Sequence, residues 1–142
     1  MARTPAIPMA NPFEGSFETE ADILQYLAVI PGTDDHQVTA MTTGSSGDGT
    51  VISGIAQFDA LDGEWVAVRY FGPSWAYADG AITRDNAVEA IYSATAANNG
   101  RMKAISGVYT AGKMIAGIAL EDAADGEKFK VFLTRHIQVA LS

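Results

Sequence analysis

The sequence contains no cysteine, which excludes a disulfide framework, a thiolate metal site and a cysteine nucleophile. Long apolar runs are also missing. The longest, ILQYLAVI at residues 23–30, is far shorter than the ~20 residues of a membrane-spanning helix. The opening residues, MARTPAIPMANPF, lack the continuous apolar segment of a secretory signal. We therefore expect a soluble protein that has no membrane partner.

Positive charge is scarce and unevenly placed. The chain carries 9 Lys and Arg against 17 Asp and Glu, which gives a formal net charge of −8. Before Arg69 the only base is Arg3, set against ten acids. A nucleic-acid-binding protein needs a basic footprint, so we expect no nucleic-acid partner. The acidic first half suits either simple solubility or a basic protein surface as partner.

The sequence also lacks the common catalytic motifs. It has no G-x-S-x-G, Walker, H-E-x-x-H or G-x-G-x-x-G pattern. His36 and His136 stand alone, without a second ligand at metal-binding spacing. We therefore predict a protein that is not an enzyme and that uses neither a metal nor a cofactor.

The 142 residues are 48% apolar but only 18% charged, against about 25% charged in an average globular protein. This length fits one ordinary domain and leaves no room for two cores of normal size. A surface so poor in charge is typical of one that a partner covers.

The N-terminal residues differ in composition from the rest of the chain. Three prolines remove backbone donors there and prevent a helix, while the apolar residues between them offer anchors. We predict an extended arm over residues 1–17, which either frays or orders on a neighbouring chain, followed by one domain over residues 18–142. The candidate contact residues of the arm are Pro5, Ile7, Pro8, Met9, Pro12, Phe13 and Phe17.

The remainder of the chain favours β-structure. The segments EWVAVRYFG and KFKVFL are rich in β-branched and aromatic residues, and short turn signals separate such segments. Residues 19–30 fit either one short helix or a strand. Residues 42–50, TTGSSGDGT, predict a flexible loop that no core uses. We therefore predict a mainly β fold, a small barrel or sandwich with at most one or two short helices.

One segment occurs twice. Residues 54–68, GIAQFDALDGEWVAV, return as GIALEDAADGEKFKV after 117 − 54 = 63 positions. In each copy an apolar strand reaches a D-A-x-D-G-E turn, and a second strand leaves it. We interpret the pair as duplicated scaffold rather than as a calcium loop or an acid–base pair, because neither the alternating ligands nor a pKa-separating partner is present. The structural turns are predicted at Gly54, Gly63, Gly117 and Gly126.

Residues 79–139 carry two longer patterns, I-x-x-G/D-x-A-V and G-x-A-L-x-x-A-x-x-G-E. With these patterns the second half of the chain resembles the head decoration, or capsid cement, proteins of tailed bacteriophages. The N-terminal region shows no motif of that family. The matching residues are Ile82, Asn86, Ala87 and Val88 for the first pattern, and Gly117, Ala119, Leu120, Ala123, Gly126 and Glu127 for the second.

The resemblance implies a compact domain of the β-tulip or small-barrel kind, made in the host cytoplasm and carried on the outer capsid surface of the virion. It implies a homotrimer that clamps neighbouring subunits of the major capsid protein. From its composition alone, we take the arm as the candidate capsid-binding segment. We assign Trp65, Tyr70 and Trp75 to a candidate oligomer interface. The alternative is a small β-barrel module that binds a carbohydrate or another ligand on the aromatic rings of Trp65, Tyr70, Trp75 and Tyr77.

Overall fold

The computed structural model describes residues 13–105 and 113–138. This part of the chain forms ten β-strands and two short 3₁₀ turns, at Ser46–Asp48 and Ala96–Asn98, and has no helix long and apolar enough to cross a membrane. The strands are β1 (Glu14–Thr19), β2 (Ala28–Pro31), β3 (Gln37–Ala40), β4 (Gly54–Ala56), β5 (Trp65–Arg69), β6 (Gly72–Tyr77), β7 (Ala87–Ile91), β8 (Arg101–Ala104), β9 (Met114–Ala119) and β10 (Lys128–Gln138).

The first five strands close into a barrel in the order β1-β3-β2-β4-β5, with β5 returning to pair with β1. All neighbours are antiparallel except β1 and β3, whose parallel pairing at Glu18–Gln37 and Thr19–Val38 closes the barrel. The barrel places alternate side chains inside, which is why Val66 and Val68 of β5 are buried while Trp65 is exposed.

The last five strands repeat this arrangement as a sheet of order β6-β10-β9-β7-β8. Strands β6 to β10 take the places of β1 to β5, in the same order along the chain. The parallel closure is reduced to a single bridge between Ala78 and Met102, which stands where Thr19 pairs with Val38 in the first unit. We call these two halves the first unit (β1–β5) and the second unit (β6–β10).

The strand registers show that the duplication covers both units in full. Ala28 of β2 lies opposite Ile55 of β4, and Ala87 of β7 lies opposite Ile118 of β9. The offset between equivalent residues is therefore 118 − 55 = 63 in β4 and β9, but 87 − 28 = 59 in β2 and β7. The repeat visible in the sequence, residues 54–68 and 117–131, has the offset of 63 and does not include β2 and β7.

The repeated glycines lie at close approaches and at turns. A Cβ atom on Gly54 would lie 2.2 Å from the carbonyl oxygen of Arg69, and one on Gly117 would lie 2.6 Å from that of Phe132. Gly63 and Gly126 are turn residues with φ of +91° and +82°, a conformation that glycine adopts without steric cost. Each repeated segment thus supplies one turn and the two strands that meet there.

The prediction for residues 42–50 was wrong. Ser45, Ser46 and Gly47 are buried, and Ser46 Oγ accepts the backbone N–H of Ala90 in β7 at 2.7 Å. The loop also forms a bridge between Ser45 and Ile91. Serine and glycine are small enough to let the loop lie directly on the second unit, so it joins the two units instead of extending into solvent.

The core divides into two apolar clusters. One fills the barrel of the first unit and consists of Ile23, Val29, Val38, Ala56, Ala60, Val66 and Val68. The larger cluster combines Met41, Ile52 and Ile55 of the first unit with second-unit residues such as Met102 and Phe129. The larger cluster is common to both units, so the halves pack together through their apolar residues.

The predicted fold class, mainly β with a small barrel, is confirmed. Residues 19–30, predicted as a helix or a strand, form an isolated bridge at Ile23 and then strand β2. The arm predicted over residues 1–17 overlaps β1, which begins at Glu14. Phe17 lies opposite Val66 in that strand and packs against the barrel cluster, so residues 14–17 belong to the first unit.

Candidate functional site: an apolar corner and an aromatic junction

The carboxylates of the two repeated turns hold backbone groups of their own unit. Asp59 Oδ1 accepts the N–H of Gln25 at 2.8 Å, and Asp122 Oδ1 accepts that of Arg84 at 2.7 Å. Glu64 accepts the N–H of Leu61 at 2.8 Å, and Glu127 accepts that of Ala124 at 2.7 Å. Within the described residues, no group of three potential acidic or histidine ligands is placed to hold a metal ion. These contacts support the interpretation of the repeated segment as scaffold.

The outer faces of the two turns differ sharply. In the first unit Phe58, Leu61 and Trp65 are 60%, 63% and 58% exposed, although all three side chains are large and apolar. Their equivalents in the second unit, 63 positions later, are Glu121, Ala124 and Lys128. Because the second unit builds the same turn without these apolar side chains, the fold does not require them. We call Phe58, Leu61 and Trp65 the apolar corner.

Acidic side chains surround the apolar corner in sequence and in the sheet. The turn itself contributes Asp59, Asp62 and Glu64, and Glu18 lies opposite Trp65 across β1 and β5. The ring of His36 stacks on that of Trp65, with 5.7 Å between centroids and 6° between planes. No Lys or Arg occurs between residues 4 and 68, so Arg69 is the first basic residue of the first unit.

A second aromatic group lies where the N-terminal residues enter the fold. The ring of Phe71, between β5 and β6, lies 5.1 Å from that of Phe13 and 5.5 Å from that of Phe132. The carbonyl oxygen of Phe13 accepts the N–H of Tyr70 at 2.9 Å. We call Phe13, Phe71 and Phe132 the aromatic junction. Because Phe71 lies between the last strand of the first unit and the first strand of the second, Phe13 packs at the boundary of the two units.

Of the other predicted aromatic residues, Tyr70 lies between β5 and β6, and two lie on the second unit. Trp75 and Tyr77 are on β6, and the Trp75 ring has the Nζ atoms of Lys128 and Lys130 at 4.8 and 5.2 Å from its centroid. These cation–π contacts hold the two lysines over the ring. Trp65 instead stacks on His36, so Trp65 and Trp75, proposed as parts of one stacking platform, have different neighbours.

One buried acid is paired with a lysine that directly precedes β9. Lys113 Nζ lies 3.5 Å from Glu89, which is 6% exposed, and donates a hydrogen bond to Asp48 at 2.9 Å. The hydrogen bond from Lys113 lowers the pKa of Asp48, with a smaller contribution from Ser45, and the same bond raises the pKa of Lys113. This ion cluster joins the loop of the first unit to β7 and β9 of the second.

Several predicted contact residues fall outside the described residues. They are Pro5, Ile7, Pro8, Met9 and Pro12. Of the three residues of the apolar corner, only Trp65 was predicted from the sequence as a site residue. A signal for it existed, because Phe58 and Leu61 are the apolar members of a repeat whose second copy has Glu and Ala.

The first decoration-protein pattern also occurs unnoticed in the first unit. Ile23, Ala28 and Val29 have the same spacing as Ile82, Ala87 and Val88. The G/D position of the pattern is filled by Tyr26 in the first unit and Asp85 in the second, and both adopt positive φ, 65° and 73°. Glycine and aspartate adopt this conformation more readily than tyrosine does, so Tyr26 hid the first copy.

Comparison with known proteins yields a fold relation. No protein-family profile matches the chain, and no curated protein matches it in sequence. Among solved structures, the crystal structure of the head fiber gp8.5 N base in bacteriophage phi29 matches with a TM-score of 0.60. The match covers 91% of this chain and 97% of that chain, at 14% sequence identity. The chain therefore shares nearly its whole two-unit fold with the base of a phage head fiber.

Proposed function

We propose that the protein is a structural component of a tailed-phage virion, which binds the outer surface of the capsid as a homotrimer and clamps neighbouring subunits of the major capsid protein. The observation that carries the proposal is the fold match to the phi29 head fiber base, which extends over almost all of both chains. The decoration-protein patterns in the second half, a different kind of observation, favour the same location.

The surface chemistry supports a protein partner more than a small ligand. Large apolar side chains are exposed at the apolar corner, where the equivalent turn of the same fold carries polar or small ones. Exposed apolar groups rimmed by polar residues are typical of protein-binding surfaces. Of the rings that a carbohydrate module would use, the Trp65 ring stacks on His36 and the Trp75 ring is engaged by two lysines.

The arm supplies a second contact in this proposal. Phe13, which directly follows residues 1–12 in the chain, packs its ring against Phe71 in the aromatic junction. In the sequence of the arm, Ile7 and Met9 alternate with prolines, which limit the conformations open to a chain. One arm contributes little affinity after the cost of ordering it, but three arms on a trimer act together.

The test is binding to head particles of the cognate phage that lack this protein. We expect saturable binding in a cosedimentation assay and a higher temperature of capsid rupture in the presence of the protein. Light scattering of the protein alone or released from capsids is expected to give three times the 15.0 kDa of one chain. A monomer that occupies isolated sites one by one would contradict the trimer, and absence of saturable binding would contradict the virion role.

A further inference from the structure

The apolar corner is the surface that the fold itself leaves unexplained. Phe58 and Leu61 lie in the connection between β4 and β5, and Trp65 is the first residue of β5. The second unit forms the same connection, in which its aspartate and glutamate accept the equivalent backbone N–H groups. At the equivalent positions it presents Glu121, Ala124 and Lys128. The first unit therefore exposes apolar area that its own stability does not need.

We propose that the apolar corner docks onto a capsid surface that presents an apolar side chain among lysine and arginine side chains. This inference rests on the proposed function and names the contacting surface and its partner's chemistry. The apolar part follows from the exposure of Phe58, Leu61 and Trp65. The basic part follows from charge complementarity, because the charged residues of that turn are Asp59, Asp62 and Glu64, and Glu18 lies opposite Trp65 on β1.

The duplicated fold supplies a variant that should remain folded. F58E/L61A/W65K places on the first unit the three residues that the second unit carries at the equivalent positions. The added glutamate and lysine cancel, so the net charge stays the same. The matched control is L120Q, which replaces an exposed leucine of the second unit by the residue found at the equivalent position 57 of the first. Both variants are compared with the wild type by thermal unfolding before binding is measured.

In cosedimentation with capsids that lack the protein, we expect the triple variant to bind at least about tenfold more weakly than the wild type, as when central aromatic contacts are removed from an interface. We expect L120Q to bind like the wild type. Raising the salt concentration is expected to weaken wild-type binding, because salt screens the attraction between the acidic rim and a basic surface. Equal binding of the triple variant and the wild type would overturn the inference while leaving the proposed function intact. If the wild type itself does not bind, the proposed function fails first.

Two further measurements identify other occupants of the corner. If the triple variant has a smaller mass than the wild type in light scattering, a second copy of the chain covers the corner and the inference is overturned. In W75F, Trp65 is the single tryptophan. We expect acrylamide to quench its fluorescence nearly as strongly as in the denatured full chain. Strong protection would show that the free protein already covers Trp65, which would also overturn the inference.

Discussion

The close approach at Gly54 offers a quantitative test of the two-unit architecture. In Gly54→Ala the new Cβ atom would lie 2.2 Å from the carbonyl oxygen of Arg69 and 2.8 Å from its carbonyl carbon. Both contacts are with the backbone of β5, which cannot rotate away as a side chain would. Gly54 also has φ of +151°, which alanine rarely adopts. The substitution therefore combines a steric collision with backbone strain.

Two other glycines separate these effects. Gly63→Ala introduces strain alone, because φ is +91° and no atom lies within 4 Å of the new Cβ. Gly117→Ala introduces the collision alone, with the Cβ 2.6 Å from the carbonyl oxygen of Phe132 and a φ outside the left-handed region. Backbone strain costs about 1–2 kcal/mol and overpacking about 1–3 kcal/mol. We therefore expect Gly54→Ala to lower the free energy of unfolding by roughly 2–5 kcal/mol, near the sum of the other two.

The assay is equilibrium denaturation of the three variants and the wild type in urea, followed by fluorescence. Gly63→Val and Gly126→Val are expected to lower the free energy of unfolding by at least about 1 kcal/mol each, since a β-branched side chain fits positive φ poorly. Suppose that Gly54→Ala lowered the free energy of unfolding no more than Gly63→Ala does. The close approach of β4 to β5 would then be refuted, and with it the equivalence of the two units.

Three further predictions concern the arm, the ion cluster and the repeated turns. Deletion of residues 1–12, which keeps Phe13 in the aromatic junction, should leave the melting temperature nearly unchanged yet weaken capsid binding by about tenfold or more; unchanged binding would reduce the arm to a frayed end. K113M should lower the melting temperature at neutral pH more than D48N, because it also leaves buried Glu89 without its ion-pair partner. The pKa of Asp48 is lowered by folding, so its contribution is present above its unfolded pKa and is lost as the pH falls through the lower folded value. K113M should flatten this acid-side loss, and an unchanged profile of melting temperature against pH would contradict the pairing. Calcium should not change the melting temperature, because the turn aspartates and glutamates already accept backbone N–H groups; a large rise would revive a metal site.

Part of the candidate site could be read from the sequence because it depends on neighbours along the chain. The D-A-x-D-G-E turns were recognisable since a turn is made by consecutive residues with particular φ preferences. The loop at residues 42–50 could not be assigned correctly in the same way. Its glycines and serines are compatible with flexibility, and only the approach of β7 shows that Ser46 is buried and bonded to Ala90.

The sequence by itself determined the absence of thiol chemistry, the acidic first half, the β class and one half of the duplication, because composition, alternation and turn residues act locally. Tertiary structure alone decided that β1 pairs with both β3 and β5 to close a barrel, since such pairings join residues far apart in the chain. It also decided which apolar side chains remain outside. Phe58 and Val66 are both apolar, but strand pairing buries Val66 in the barrel and leaves Phe58 exposed at its corner.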